Sequence, residues 1–180
     1  MQILFNMKIL VTGNYGLGKN IREYLSTNGY EVDYMSSIDS YAHHLPNVIN
    51  QYDVFINNEY KDKLQSDLFE YVYNEWKYKP KTIINILTSA IIFGGPNQKY
   101  IDDKKDLEQK TFQLRDMEKE VRIINVYPHT LESTKLAKNQ KLNFSDVSSI
   151  IKYLIELPQD IEIFEIGICK TKLKIDSSII

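Results

Sequence analysis

The residues from Met7 to Leu25, MKILVTGNYGLGKNIREYL, constrain this chain more than any other stretch. A short apolar run (Ile9, Leu10, Val11) enters three closely spaced glycines, Gly13, Gly16 and Gly18, and a helical apolar spacing (Leu17, Ile21, Tyr24, Leu25) leaves them. The pattern predicts a strand, a tight turn and a helix. Glycine belongs in such a turn because the chain must reverse sharply, approach a ligand without a Cβ in the way, and let helix and strand pack together. The backbone N–H groups that open the helix then form an anion site suited to a diphosphate.

Two chemistries use a turn of this kind. Read from Gly13, GNYGLGKN nearly fits a triphosphate-binding loop with Lys19 after the last glycine, but Asn20 stands where a Ser or Thr hydroxyl would hold magnesium. Read from Thr12, TGNYGLG is close to the dinucleotide turn T-G-x-x-x-G-x-G with one spacer missing, so that Gly13, Asn14, Tyr15, Gly16, Leu17 and Gly18 would line the cofactor. The rest of the chain has to decide between them.

At 180 residues the chain fits one domain, residues 1–180, with room for a real core. A formal charge of −2 gives no electrostatic footprint for nucleic acid. No apolar run approaches a membrane span, and MQILFN lacks the basic start and apolar core of a leader, so the expectation is a cytoplasmic protein, with Met1 to Asn6 an extension before the first strand. Cys169 alone makes neither an internal disulfide nor a cysteine metal site, and reads as a buried strand residue. His43 and His44 are adjacent and diverge on a helix, which makes them solvated surface; no metal site is expected.

In chain order, Tyr30 to Met35 reads as a second strand, with Ser36 and Ser37 at its carboxyl end beside the adenosine ribose of a dinucleotide. Two serines choose neither NAD nor NADP. Ile38 to Gln51 has room for one helix with an interruption at Pro46, and Asp53 to Asn57 is the next strand. Lys63 to Tyr78 is an aromatic-rich helix with two apolar stripes, and the second (Phe69, Tyr73, Trp76) faces either another subunit or the chain's own core. Thr82 to Leu87 is a strand apolar enough to be buried on both faces, closed by Thr88 and Ser89. Tyr100 and Lys104 open a helix that runs to about Lys119, and Val121 to Val126 is another buried strand. Ser145 can cap a further helix, and Ile161 to Ile168 alternates as a last strand. About six strands alternating with helices predict an α/β domain with one doubly wound parallel sheet, a Rossmann fold.

Tyr100 and Lys104, at i and i+4, share one helix face. An ammonium beside a phenol favours phenolate, and a hydroxyl at the end of the neighbouring strand can hold a carbonyl oxygen between itself and the tyrosine. Lowering a tyrosine from about 10 to near 7 asks for about 4 kcal/mol of differential stabilisation, more than a lysine alone supplies; a positively charged nicotinamide would add to it.

With these residues in place the chain resembles the short-chain dehydrogenase/reductase family, as a shortened member. TGNYGLG (12–18) looks like its cofactor turn, DVFINN (53–58) like its Asn-Asn strand end, IINILTS (83–89) like the strand bearing the catalytic hydroxyl, and YIDDK (100–104) like its Tyr-x-x-x-Lys pair. INVYPHTLEST (124–134) looks like the segment that contacts the nicotinamide, here through Pro128, Thr130 and Ser133. The resemblance implies NAD(P)-dependent hydride transfer between nicotinamide and a small carbonyl or alcohol. Tyr100 would be the acid/base, Lys104 its partner and a ribose ligand, Thr88 or Ser89 the hydroxyl, and Asn57 and Asn58 cofactor neighbours. It also implies a homo-oligomer, dimer or tetramer.

The departures from the family pattern are specific. Glu59 and Tyr60 replace Ala-Gly, His129 replaces a glycine, and Asp102 and Asp103 add negative charge beside Tyr100. One strand and helix are missing between Met35 and Asp53, which predicts the strand order 2-1-3-4-5-6, and the supporting catalytic asparagine has only Asn74 as a candidate. Those departures keep open a trimmed module that binds a dinucleotide or a protein without turnover. A phosphohydrolase using Lys19 is the third reading.

Overall fold

A computed structural model of the chain describes residues 7–36, 38–131 and 141–170. Its core is one parallel six-stranded sheet in the order β2-β1-β3-β4-β5-β6. The strands are β1 (Lys8–Thr12), β2 (Glu31–Met35), β3 (Val54–Asn57), β4 (Thr82–Ile86), β5 (Arg122–Pro128) and β6 (Glu165–Ile168). This is the doubly wound order expected from the sequence. Parallel neighbours need crossovers, supplied by α1 (Gly16–Thr27), α2 (Ile38–His43), α3 (Leu45–Val48), α4 (Leu64–Trp76), α6 (Gln98–Gln113) and α7 (Phe144–Glu156), with the short α5 (Ala90–Phe93) inserted after β4.

Alternation along each strand assigns its side chains to two cores. Ile9, Val11, Ile56, Ile84, Ile124 and Val126 pack with Ile21 and Leu25 of α1 and Val147 and Ile151 of α7. Leu10, Phe55, Ile83, Leu87, Ile123 and Tyr127 pack on the opposite face with Leu68, Phe69, Val72 and Trp76 of α4 and Leu107 of α6. The second stripe of α4 is therefore used inside the chain: Phe69 and Trp76 have no exposed surface and Tyr73 is buried.

Asn57, Asn85 and Asn125 occupy matching register positions on β3, β4 and β5, all on the α4/α6 face. Their amides form a ladder. Asn57 Nδ2 donates to Asn85 Oδ1 at 3.1 Å, Asn85 Nδ2 to Asn125 Oδ1 at 3.2 Å, and Asn125 Nδ2 to Thr111 Oγ1 at 2.7 Å. An amide has both a donor and an acceptor, so one residue type repeated across the sheet satisfies its neighbours in turn.

Several local expectations shift. The 38–51 segment breaks into α2, α3 and a short 3-10 turn because Pro46 sits in the first turn of α3. α6 ends at Gln113, and β6 begins only at Glu165 because the chain first turns back at Pro158 to Ile161. The cap of α7 is Asn143, not Ser145: the Asn143 side chain accepts from the backbone of Asp146, whose carboxylate accepts from the Asn143 N–H. Cys169 lies just past the edge strand and is exposed, since β6 has a sheet neighbour on one side only. His43 and His44 are exposed as expected.

The ladder makes a stability prediction. Asn85→Ala removes the two rungs that Asn85 makes and leaves the Asn125 carbonyl without its donor. The expected cost is about 1–3 kcal/mol, read as a lowered denaturation midpoint at unchanged m-value.

Candidate functional site

The turn after β1 closes as a compact unit. Gly13 and Gly16 have φ of +88° and +52°, values that side-chain-bearing residues rarely adopt. A Cβ on Gly18 would stand 2.6 Å from the Gly13 carbonyl oxygen, so only glycine lets α1 start this close to the turn. The β3 end clamps it: the Thr12 hydroxyl accepts from the backbone N–H of Asn58 (2.8 Å) and of Glu59 (3.0 Å), and Asn58 Nδ2 donates to the Thr12 carbonyl at 3.2 Å. Tyr15, the N-cap of α1, is exposed and makes no side-chain cap hydrogen bond to the first N–H groups of the helix.

Two charged side chains flank this turn. Arg22 lies over the Tyr34 ring and donates to Asn14 Oδ1 at 2.8 Å. Glu59 pairs with the Tyr41 hydroxyl, which also reaches the Met35 carbonyl at the end of β2. Lys19 instead stands beside Glu23 on the surface, and Asn20 accepts from Ser148 of α7 at 2.9 Å. A hydrolase loop would need both aimed at the phosphates and their metal, so the Lys19 reading loses its geometry.

From the turn a cavity of about 440 Å³ runs along the carboxyl ends of the strands. Leu17 and Asn58 bound it at one end; Thr88, Ser89, Tyr100, Lys104, Pro128, His129 and Thr130 line the remainder. Side chains as far apart in the chain as Leu17 and Leu131 are brought together because parallel strands all end on the same edge. Asn57 is not among them. Its side chain is fully buried in the ladder and donates to the Gln65 carbonyl at 2.8 Å, because strand alternation turns it away from the cofactor edge. Ser36 is half-buried at the end of β2; Ser37 and Ser133 lie outside the described residues.

Tyr100 is half-buried, its ring packed edge-on against Tyr60 with centroids 4.7 Å apart. Burial pushes its phenol above the ordinary value, and the Thr88 hydroxyl opposes that rise. The two aspartates do not cause it: Asp102 accepts from Gln98 and Asp103 from the Tyr60 hydroxyl at 3.0 Å. Lys104 is 2% exposed, and its ammonium donates to Gln65 Oε1 and to the Ile86 carbonyl, both at 2.6 Å. Both acceptors are neutral, and burial pulls its pKa from 10.5 down to about 7.

Sequence reasoning missed Gln65. From the first turn of α4 it accepts from Lys104 and donates to the carbonyls of Asn57 (2.6 Å) and Ile86 (3.0 Å), tying the lysine to the ladder. Asn74, the residue weighed for a supporting role, is exposed on a groove between α4 and α6 and does not line the cavity. Ser89 and Thr88, left equivalent by sequence, separate in the structure. The Thr88 hydroxyl acts on the Tyr100 phenol, lowering it, whereas Ser89 Oγ is 2.7 Å from His129 Nδ1.

No family model and no curated protein matches the sequence. Solved structures do. The chain is similar to an alcohol dehydrogenase from the archaeon Thermococcus sibiricus, solved with 5-hydroxy-NADP, at 14% identity and a TM-score of 0.71 over 91% of this chain and 96% of that one. This is a doubly wound, Rossmann-like α/β fold. A short-chain dehydrogenase from Burkholderia cenocepacia in complex with NADP matches at 13% identity and a TM-score of 0.71, over 92% of this chain and 97% of that one. A structure described as ribose-5-phosphate isomerase from Brucella melitensis also shares the fold, at 17% identity and a TM-score of 0.70, with 91% of each chain covered. At such identities the likeness is one of fold, and the site has to be argued from its own residues.

Lys104 makes a pH prediction. In the unfolded chain it stays protonated to about 10.5, and in the folded chain only to about 7. Between those values the unfolded state binds more protons, so the penalty for burying the lysine falls as pH rises. Wild type is expected to gain stability relative to Lys104→Met between about pH 7 and about pH 10, measured by denaturant melts of both proteins.

Proposed function

We propose that the chain is an NAD(P)-dependent oxidoreductase acting on a small carbonyl or alcohol. The observation that carries this reading is the single cavity bounded by the glycine turn at Leu17 and by Thr88, Tyr100 and Lys104 at its other end. The residues fit a nicotinamide dinucleotide. The positive-φ glycines and first N–H groups of α1 would take its diphosphate. Asn58, Pro128 and Thr130 would line its path along the strand ends. The basic Arg22 and the acidic Glu59 both flank the turn that would take the diphosphate, so the site singles out neither NAD nor NADP.

When bound, the nicotinamide supplies or accepts the hydride. The chain's own residues handle the oxygen. Thr88 holds it, and Tyr100 donates a proton to it in the reductive direction and takes one in the oxidative direction. Burial alone holds the phenol up, so the positive charge of an oxidised nicotinamide would assist its ionisation. Lys104, with two of its ammonium's three donors on Gln65 and Ile86, is fixed beneath the Tyr100 ring, 5.5 Å from its centroid. A homo-oligomer, dimer or tetramer, is the assembly that the resemblance implies, and light scattering measures it.

The second reading, a dinucleotide-binding module without turnover, draws on the raised Tyr100 phenol and on the commitment of Lys104 to neutral protein acceptors. One experiment separates the two. Calorimetric isotherms with NADH and NADPH should show binding of at least one, and Tyr100→Phe should keep binding while cutting reduction of a panel of aldehydes and ketones by about 100-fold or more. No binding at about millimolar concentration sinks both readings. Binding without any hydride transfer leaves the module.

A further inference from the structure

Beside Thr88 and Tyr100 the same cavity holds a hydrogen-bonded pair that the reaction above does not use. Ser89 and His129 follow β4 and β5, and the ends of these strands are joined by the backbone bond from the Ser89 N–H to the Pro128 carbonyl at 3.2 Å. His129 is anchored on its other side by its own N–H, which donates to the Ile168 carbonyl at 2.8 Å. Ser89 Oγ and His129 Nδ1 are 2.7 Å apart, and the Phe93 ring meets the imidazole edge-on at a centroid distance of 5.8 Å. The imidazole is thus held by its backbone, by a hydroxyl and by a ring.

Proton bookkeeping gives that imidazole a function. With Ser89 donating to Nδ1, the neutral ring carries its proton on Nε2; with Nδ1 donating to Ser89, the protonated ring carries one on both nitrogens. Either state offers an Nε2–H, and Nε2 has no hydrogen-bond partner among the described residues. None of the described residues lining the cavity is an aspartate or glutamate, and the lining that it shares with His129 includes apolar Ala90, Phe93, Pro96 and Leu131. An acceptor group of a ligand, above all an anionic one, would find there a donor without a competing carboxylate.

We propose that His129, held by Ser89, binds a carboxylate of the substrate, which makes the preferred substrates short 2-oxo or 3-oxo acids and their hydroxy-acid products. The proposal rests on the oxidoreductase reading. Thr88 and Ser89 are consecutive, so their Cα atoms are about 3.8 Å apart, and neighbouring strands lie about 4.8 Å apart. The hydroxyl assigned to the reacting oxygen and the hydroxyl that holds His129 therefore sit on adjacent residues of one cavity, which suits a substrate whose oxo and carboxylate groups are close together. In reduction the hydride goes to the oxo carbon, the proton of Tyr100 goes to its oxygen, NAD(P)H becomes NAD(P)+, and the carboxylate leaves unchanged.

The test reads binding rather than turnover, on the full chain, by calorimetric titration with pyruvate, acetoacetate and the uncharged ketone acetone, each with and without saturating NAD+, which cannot reduce the oxo group. At least one oxo acid is expected to bind at least about tenfold tighter than acetone. His129→Leu should remove that advantage, while His129→Gln, which keeps an N–H donor, should recover part of it; thermal midpoints check that both variants are folded. Equal affinity for acid and ketone, acid binding unchanged in His129→Leu, or no acid binding in either condition overturns the assignment. Oxo-acid binding that depends on His129 in a protein with neither an NADH nor an NADPH isotherm upholds the carboxylate seat and removes the oxidoreductase reading instead.

Discussion

An ammonium buried among neutral acceptors is the constraint around which the site is built. Taking Lys104 out of water without a carboxylate partner is costly, and the depressed pKa records that cost. The chain meets it with geometry. Gln65 and the Ile86 carbonyl must both be within reach, which fixes the distance between α4, α6 and β4. Gln65 is itself tied to the Asn57 carbonyl, and Asn57 belongs to a ladder that ends on Thr111, one more residue of α6. The helix that carries Tyr100 is thus held to the sheet at two points, Lys104 and Thr111. A tyrosine on such a helix has little freedom of position, which suits the acid/base role proposed for it.

The glycine turn is held from the other direction. Thr12 is buried, and its hydroxyl accepts from the two backbone N–H groups that leave β3. The turn and the Asn58 loop accordingly form one rigid rim, and Gly18 fits beneath it because it has no side chain. The features that set the chain apart in sequence, Glu59 and Tyr60, are absorbed into this arrangement: Glu59 links the rim to Tyr41 and the end of β2, and Tyr60 packs on Tyr100 and takes up Asp103.

What the sequence made legible follows from range. The strands, their order and the Gly13–Gly18 turn are written in short windows, where apolar period and glycine spacing suffice. Tyr100 and Lys104 were legible because four residues on a helix fix a shared face. Gln65 was not, since its contact with Lys104 spans 39 positions and depends on how two helices cross the sheet. The asparagine ladder needs the register of three strands, which no single window contains. Asn57 was misjudged by one step of strand parity: it ends the strand as expected, but on the face that looks into the core. The pairing of Ser89 with His129 crosses 40 positions, and its only sequence trace was a histidine standing where the resembled family has glycine.

Arg122 sits at the opposite end of β5 from Pro128. Its buried guanidinium gathers the carbonyls of Leu154, Leu157, Pro158 and Ile161 together with the Thr82 hydroxyl. The last turn of α7 is stitched to the floor of the sheet by one side chain, roughly 20 Å along the strand from the ligand rim. The molecule is therefore polarised along its strands, with a locked base and a working crest. Evolution could redraw the crest without touching the fastening underneath.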